Sequence, residues 1–417
     1  MNAKRTPRDT PITTDVLIVG GGLVGQTLAL ALAAHEIGSV IVERADPESH
    51  LAAAFDGRAS AIASASGAML TALGLGRVLE EEGCPIRTIE VAEGLHPEII
   101  HFEAPADDPA PLGTMVENRC LRVALLEATR AAEGVRLLAP VSIAALDRGE
   151  HGVDALIGDG RRIRASLVVA ADGRRSATRD AAGIRLSRWD YPNSAIVSML
   201  AHEKPHGQVA LELFYPSGPF ALLPMTDLSD GRHRSALVWT VERGVAPGVV
   251  KLGPRGFAAE ISKRLGGRLG AIEPVAPAVS WPLGFHHAER YSAERLVLVG
   301  DAAHGIHPIA GQGLNLGFRD VAALTEVLAD GVRSGLDPAD PALLARYERW
   351  RRADNSLTAF ATDTLARFFG LPGRPVMALR RFGLGLVERL PPAKRAFAAI
   401  ARGTAGDLPP LLRGEIG

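Results

Sequence analysis

A buried strand that runs straight into closely spaced glycines and then into an apolar helix leaves a chain few folds to adopt. Asp15 to Val19 reads as a short buried strand, and Gly20, Gly22 and Gly25 follow it as G-x-G-x-x-G. Leu28 to Ala34 then carries an apolar helical pattern. This is the order of a dinucleotide-binding strand-turn-helix unit. The first glycine permits the sharp turn, the second lets the backbone approach a pyrophosphate, and the third lets the helix pack closely on the strand. The helix N-terminus offers unsatisfied amides to that phosphate. Val40 to Val42 reads as the next strand, ending at Glu43, whose carboxylate can accept both hydroxyl hydrogen bonds of an adenosine ribose. Glycine triplets alone are common in ordinary turns, so the strand, helix and Glu43 carry the assignment together. The acid would repel a 2′-phosphate, which favours FAD or NAD over NADP without choosing between those two. Arg44, beside Glu43, joins the candidate cofactor-binding residues.

With 417 residues the chain can bury a sizeable core in two or three domains. A net charge of -1 and 45 glycines fit a turn-rich globular enzyme and exclude the basic footprint of a nucleic-acid binder. Cys84 and Cys120 make no disulfide framework, and neither has metal-ligand spacing to histidines. A reducing, cytoplasmic setting is therefore expected. The polar segment through Pro11 reads as a frayed tail, not a signal peptide. No stretch has the length and apolarity of a membrane-crossing helix, which leaves attachment to the inner face of a membrane as the only open membrane role.

A second glycine-rich segment lies far downstream. Leu296 to Val299 reads as a strand and leads into Gly300-Asp301-Ala302-Ala303-His304, then Pro308, Gly311, Gln312, Gly313, Leu314, Asn315, Gly317 and Asp320, with an apolar helical pattern from about Val321. Asp301 can hydrogen-bond ribityl hydroxyls, and the amides around Gly313 to Asn315 can approach a flavin ring or its phosphate. Those roles become specific to a flavin only through family resemblance. This long segment resembles the "GD" flavin motif of the class A, single-component flavoprotein aromatic hydroxylases. Ala170-Ala171-Asp172-Gly173-Arg174-Arg175-Ser176 is similar to their intervening "DG" motif, carried by Asp172 and Gly173 with Ser176 and Arg179 as weaker neighbours. Without its flanking motifs, Asp172-Gly173 would be a turn after the strand Leu167 to Ala170. His304 reads as a structural hydrogen-bonding histidine, not as a catalytic base.

The resemblance implies an α/β fold: a Rossmann-like FAD-binding domain, discontinuous over residues 1–75, 119–190 and 281–350, with an inserted mixed or antiparallel β-sheet substrate domain over 76–118 and 191–280. Strand-like runs at Ala195 to Met199, Gln208 to Tyr215 and Ser235 to Val241 suit that insert. Residues 351–417 are expected to be helical. The loop Pro216 to Phe220 and the strand after it are placed near substrate and flavin, so that Phe220, Leu222 and Pro224 form the dry wall of the reaction site, and Pro308 of the downstream motif joins them as a candidate catalytic residue. Arg58 follows Phe55-Asp56-Gly57 and precedes an expected helix start over Ala59 to Ser66. It either holds cofactor phosphate or flavin, or pairs at the surface with Asp56. On the helix expected from Arg119 to Ala132, Arg122 is the candidate phosphate ligand.

The C-terminal run Arg351-Arg352-Ala353-Asp354-Asn355, then Ala361 to Leu365, Phe368-Phe369 and Leu379 to Leu384, is similar to the ubiquinone-biosynthesis branch of these hydroxylases. Gly218 to Pro224 and Trp281-Pro282-Leu283 are compatible with it. The resemblance implies insertion of one atom of O2 into the ring of a polyprenylated phenol, with noncovalent FAD, NAD(P)H as a transient reductant and no metal. The ring position is left open. Two alternatives remain: a flavin monooxygenase of soluble phenols or polycyclic aromatics, and a noncatalytic FAD-binding component of a quinone-pathway assembly. Between Arg374 and Arg402 the basic residues Arg374, Arg380, Arg381, Arg389, Lys394, Arg395 and Arg402 outnumber Glu388, beside apolar residues at helical spacing. That segment either docks on its own domain or another subunit of a homo-oligomer, or meets an anionic membrane surface.

Overall fold

The computed structural model describes residues 10–50, 58–97, 99–104, 108, 110–305, 312–370 and 391–417. Pro308, Gly311, the Phe55-Asp56-Gly57 stretch and the basic run from Arg374 to Arg389 lie outside the described residues.

One sheet is built around parallel strands in the order Leu296–Leu298, Arg162–Ala170, Ile12–Val19, Ser39–Val42, Val135–Leu138. Val16, Leu17, Ile18, Val40, Ile41 and Leu167 to Ala170 are all buried, the near-continuous apolar run expected of parallel strands covered on both faces. The helices Leu23–Ala33, Asn118–Ala131 and Gly313–Arg333 contribute to the same core. Two of them start earlier than their apolar periodicity. Helix Leu23–Ala33 begins directly after Gly22, and Gly313–Arg333 begins well ahead of Val321, through glycines that disfavour a helix. Packing explains the second case. A β-carbon on Gly317 would lie 2.8 Å from Val24 Cγ2, so the glycine lets this helix close on Leu23–Ala33.

A second sheet runs in the order His304–Gly305, Val279–Ala288, Leu186–His202, His233–Glu242, Gly218–Met225, Val209–Tyr215, Thr88–Glu93, Ile99–Glu103. Every pair along this path is antiparallel except the parallel Val209–Tyr215 and Thr88–Glu93. Its outer face packs on helix Gly253–Leu265 through Phe257, Ile261 and Leu265. A smaller sheet joins Ala59–Ala63, Gly113–Glu117 and Cys84–Ile86. Ala59–Ala63 is thus a strand, not the expected helix start, and the helix begins at Ser64. Small alanines permit either state, and pairing with Gly113–Glu117 decides for the strand. The C-terminal part contains the helices Pro341–Gly370 and Pro391–Arg402.

The tightest test of the nucleotide-type turn is steric. A β-carbon on Gly25 would lie 2.0 Å from the Gly20 carbonyl oxygen, and one on Gly20, whose φ is +109°, would lie 2.4 Å from Ala171 O. Gly25→Ala is expected to lower stability by about 1–3 kcal/mol or more in urea denaturation, while Gly149→Ala, with nothing within 4 Å, changes it far less.

Candidate active site

The two large sheets enclose a cavity of about 1560 Å³, larger than the roughly 300–1,000 Å³ usual for a single small ligand. Its walls divide into a polar end at the parallel sheet and an apolar end at the second sheet.

At the polar end two helices point their N-termini into the space. Helix Leu23–Ala33 starts after Gly22 and helix Gly313–Arg333 after Gln312, neither with a side-chain cap nor an acid in the first turn. Uncapped amides and the positive end of the helix dipole suit an anion or an electron-rich ring. Gly22, Gly173 and Gly313 line the cavity, and a β-carbon on any of them would meet nothing within 4 Å. That is a cradle left open for a ligand. Gly20 and Gly25, by contrast, act through packing beneath it. Glu43 lines the cavity with both carboxylate oxygens already oriented: Gly21 N donates to Oε2 and Ala45 N to Oε1, each at 2.7 Å. Arg58 and Arg122 also line it, whereas Arg44 is exposed outside it.

Asp172 is placed differently from the expectation as well. Its Oδ2 accepts from Thr178 N at 3.1 Å and Thr178 Oγ1 at 2.9 Å in the first turn of the short helix Ala177–Ala181, whose N-cap is Ser176, while Oδ1 is buried without a partner, and the residue is not among those lining the cavity. Gly173, with φ +81°, makes the turn that exposes its own backbone instead. Arg179, almost fully buried, donates to Ala302 O at 3.2 Å and so ties this turn to the Asp301 segment.

Asp301 is exposed to the cavity, and its carbonyl accepts from His286 Nε2 at 2.8 Å. Leu314 and Asn315 line the cavity beside Gly313. The buried amide of Asn315 also bridges to the small sheet: Oδ1 accepts from Ala63 N at 2.9 Å, and Nδ2 donates to Ala61 O at 2.8 Å. Behind this wall Asp320 is fully buried. Its Oδ2 accepts from Gly300 N at 2.9 Å and lies 2.6 Å from His304 Nε2, while Oδ1 accepts from Arg351 Nε at 2.7 Å. Burial alone would raise this carboxyl, but His304 and Arg351 outweigh it and hold it well below the usual carboxylate range. His304 is therefore a structural partner of Asp320, as its sequence context suggests.

The apolar end corrects the candidate catalytic wall. In the strand Gly218–Met225, Pro219, Ala221 and Leu223 line the cavity, while Phe220, Leu222 and Pro224 do not. Strand side chains alternate between faces. Phe220 and Leu222 fall on the outer face, where Phe220 packs against Trp239 with ring centroids 6.0 Å apart. Residues not anticipated from sequence complete the wall: Val91, Glu212, Val238 and, from helix Pro391–Arg402, Phe397 and Ile400. The alternation Ala210-Leu211-Glu212 was legible as a signal for Glu212; the closing helix had none.

The fold and site define an FAD-type α/β enzyme whose cofactor end opens onto an apolar chamber. Residues 13–358 match the FAD binding domain family. The chain is 48% identical over 403 residues to ubiquinone hydroxylase UbiL of Rhodospirillum rubrum, covering 96% of this chain and 92% of that relative. It is 37% identical over 392 residues to 3-demethoxyubiquinol 3-hydroxylase of Escherichia coli, covering 94% and 98%. PqsL of P. aeruginosa, solved with 2-aminobenzoylacetate, superposes with a TM-score of 0.74 at 26% identity, covering 86% and 97%. The chain belongs to the FAD binding domain family, as an FAD-dependent aromatic-ring monooxygenase.

Two outcomes follow from the geometry. Gly22→Ala is expected to weaken FAD retention about tenfold or more with unfolding stability nearly unchanged, because its β-carbon enters only the open cradle; equal FAD dissociation constants would contradict this. Asp320→Asn removes the fully buried carboxylate shared by His304 and Arg351, leaves Arg351 with Asp354 as its remaining carboxylate partner, and is expected to cost up to about 3–5 kcal/mol in denaturant unfolding. The depressed Asp320 carboxyl contributes fully above the ordinary carboxyl pKa of about 4. That contribution is lost only as pH falls below it, so the stability difference between wild type and variant should narrow in acid and hold from neutrality upward.

Proposed function

We propose that this enzyme hydroxylates the aromatic ring of a polyprenylated phenol in ubiquinone biosynthesis, with FAD held noncovalently and NAD(P)H as a transient reductant. The observation that carries the reading is the continuity of the cavity from the two helix N-termini to a broad apolar sheet wall and on to Phe397 and Ile400, which stay 41% and 51% exposed at its margin. A soluble phenol would use only part of that length. Bound FAD supplies the redox chemistry and the activation of O2. The chain supplies position and dryness. Gly22, Gly313 and the uncapped amides receive the cofactor, with Glu43 toward the ribose, Arg58 and Arg122 toward phosphate, and Asp301 toward the ribityl hydroxyls. Ala221, Leu223 and Val238 hold the ring and exclude water. The division into a discontinuous FAD-binding part and an inserted substrate part is the corresponding domain assignment.

Helix Pro391–Arg402 supports a peripheral membrane role for the cavity mouth. It presents exposed Phe397 and Ile400 beside Lys394 and Arg395, the combination of apolar and basic groups that favours an anionic bilayer surface. No helix among the described residues is long and apolar enough to cross a membrane. Wild type is expected to bind anionic vesicles in a salt-sensitive manner, and neutralising Arg380, Arg381, Lys394 and Arg395 should abolish it; identical partitioning with and without vesicles would refute the contact.

The hydroxylation itself is tested with the FAD-loaded enzyme, NAD(P)H and prenylated phenols under 18O2, with products read by mass spectrometry. One 18O atom in the ring is the expected result. Coupled hydroxylation of an unprenylated aromatic alone would move the substrate to a soluble phenol, and flavin retention with no substrate-stimulated NAD(P)H oxidation would point to a noncatalytic role. In the same assay series, Asp301→Ala should raise the FAD dissociation constant more than Phe220→Ala does.

A further inference from the structure

One group on the apolar wall is chemically out of place. The register places Glu212 in a row across the second sheet, with Val91 opposite on one side, Ala221 on the other, and Val238 and Val197 beyond. It lines the cavity, and no hydrogen bond or ion pair to it is present among the described residues. A carboxyl in such a row weakens the fold unless it meets something the protein does not itself supply.

The charged groups on the neighbouring strands lie at other rows or are paired with other partners. Glu93 shares the cavity-side register of its strand but lies at the row of Phe214. Arg234, on the strand of Val238, is ion-paired to Glu117 at 2.7 Å. Asp190 belongs to the far strand, opposite Gly284, and Lys394 and Arg395 to helix Pro391–Arg402. Glu212 is half-buried, open only toward the cavity, and its apolar surroundings, with no charge contributing, push the carboxyl up to about 8. At neutral pH it is therefore mainly an uncharged acid, able both to donate and to accept a hydrogen bond. Thr240 also reaches the cavity, but its hydroxyl does not titrate.

We propose that Glu212 is the residue that recognises the oxygen substituent of the substrate ring, holding it by a hydrogen bond against the sheet wall. The proposal rests on the prenylated-phenol reading of the cavity. Apolar contact with Ala221, Leu223 and Val238 is non-directional, so it admits a ring without fixing its rotation. A hydrogen bond to one ring oxygen fixes that rotation, and with it which carbon is presented for hydroxylation. Glu212 is thus a specificity-determining residue that acts on substrate orientation, separate from the residues assigned to FAD.

The test uses binding, not turnover. The FAD-loaded protein, without reductant, is titrated calorimetrically with 2-prenylphenol, with its methyl ether 2-prenylanisole, and with prenylbenzene, at about pH 6.5 and about pH 9, below the phenolic pKa of about 10. The ether can only accept a hydrogen bond, so it reports the acid form of Glu212. Wild type should bind the ether about tenfold more tightly than the hydrocarbon at the lower pH, and this advantage should vanish at the higher pH as the carboxyl ionises. The phenol, which can donate to a carboxylate, should keep its advantage at both. Glu212→Gln should retain the ether's advantage at both pH values, because its amide still donates. Glu212→Leu should lose the preference for either oxygenated ligand while binding the hydrocarbon at least as well. An ether advantage that is absent, or equal at both pH values in wild type, or a phenol preference that survives in Glu212→Leu, overturns the assignment with the prenylated-phenol reading intact. Failure of wild type to bind any of the three ligands overturns both.

Discussion

The turn at Gly20 brings the chain so close to Ala171 that the carbonyl of Ala171 would stand 2.4 Å from a β-carbon, and Gly25 presses the following helix onto the same turn. The contact repeats one layer away. Val24 fills the space that Gly300 and Gly317 leave, which a β-carbon on Gly317 would invade at 2.8 Å. Because these backbones can touch, two helices from opposite ends of the sequence aim their N-termini at one space. The anion-receiving end of the cavity is a consequence of that packing, and so its integrity depends on residues that never reach the ligand.

A polar knot secures the other side of this junction. Asp320 links the Gly300 amide, His304 and Arg351. Arg319, one residue earlier, donates to Gly403 O at 2.8 Å and to Ala405 O at 3.1 Å. The segment that carries Asp301 and the segment that follows helix Pro391–Arg402 are therefore anchored to the same helix, Gly313–Arg333. This couples the cofactor end of the cavity to its mouth through short, directional contacts. A buried carboxylate held by two basic partners suits that purpose, since it favours one arrangement of the three segments even where an apolar core would be as stable.

How much of this the sequence disclosed depended on the physics of each signal. Gly20, Gly22 and Gly25 with Glu43 were legible because a steric rule and a strand-turn-helix order coincide there. The parallel strands were legible from their uninterrupted apolar runs. The apolar periodicity of helix Gly313–Arg333 shows only from about Val321, because its first turns are glycine-rich and only its tertiary partner Val24 explains them. The alanines of Ala59–Ala63 favour a helix on propensity, and only the pairing with Gly113–Glu117 makes them a strand. The segment holding Phe220, Leu222 and Pro224 is legible, but which of its faces meets the cavity is not, because the alternation parity of a strand is fixed by its neighbours and not by the strand alone. Asp172 shows the converse, a motif residue whose carboxylate accepts from Thr178 while the glycine after it meets the cavity.

On the proposed reading, one cavity seats FAD against the two helix N-termini and a prenylated phenol against the inner face of Gly218–Met225. A crystal structure of the FAD-loaded protein with such a phenol bound tests it most directly. The expected result is the flavin ring beside Gly313 to Asn315, the aromatic ring on Ala221, Leu223 and Val238, and the prenyl chain running toward Phe397 and Ile400. An aromatic ring seated on the Phe220 and Leu222 side of that strand, or outside the cavity, would contradict it.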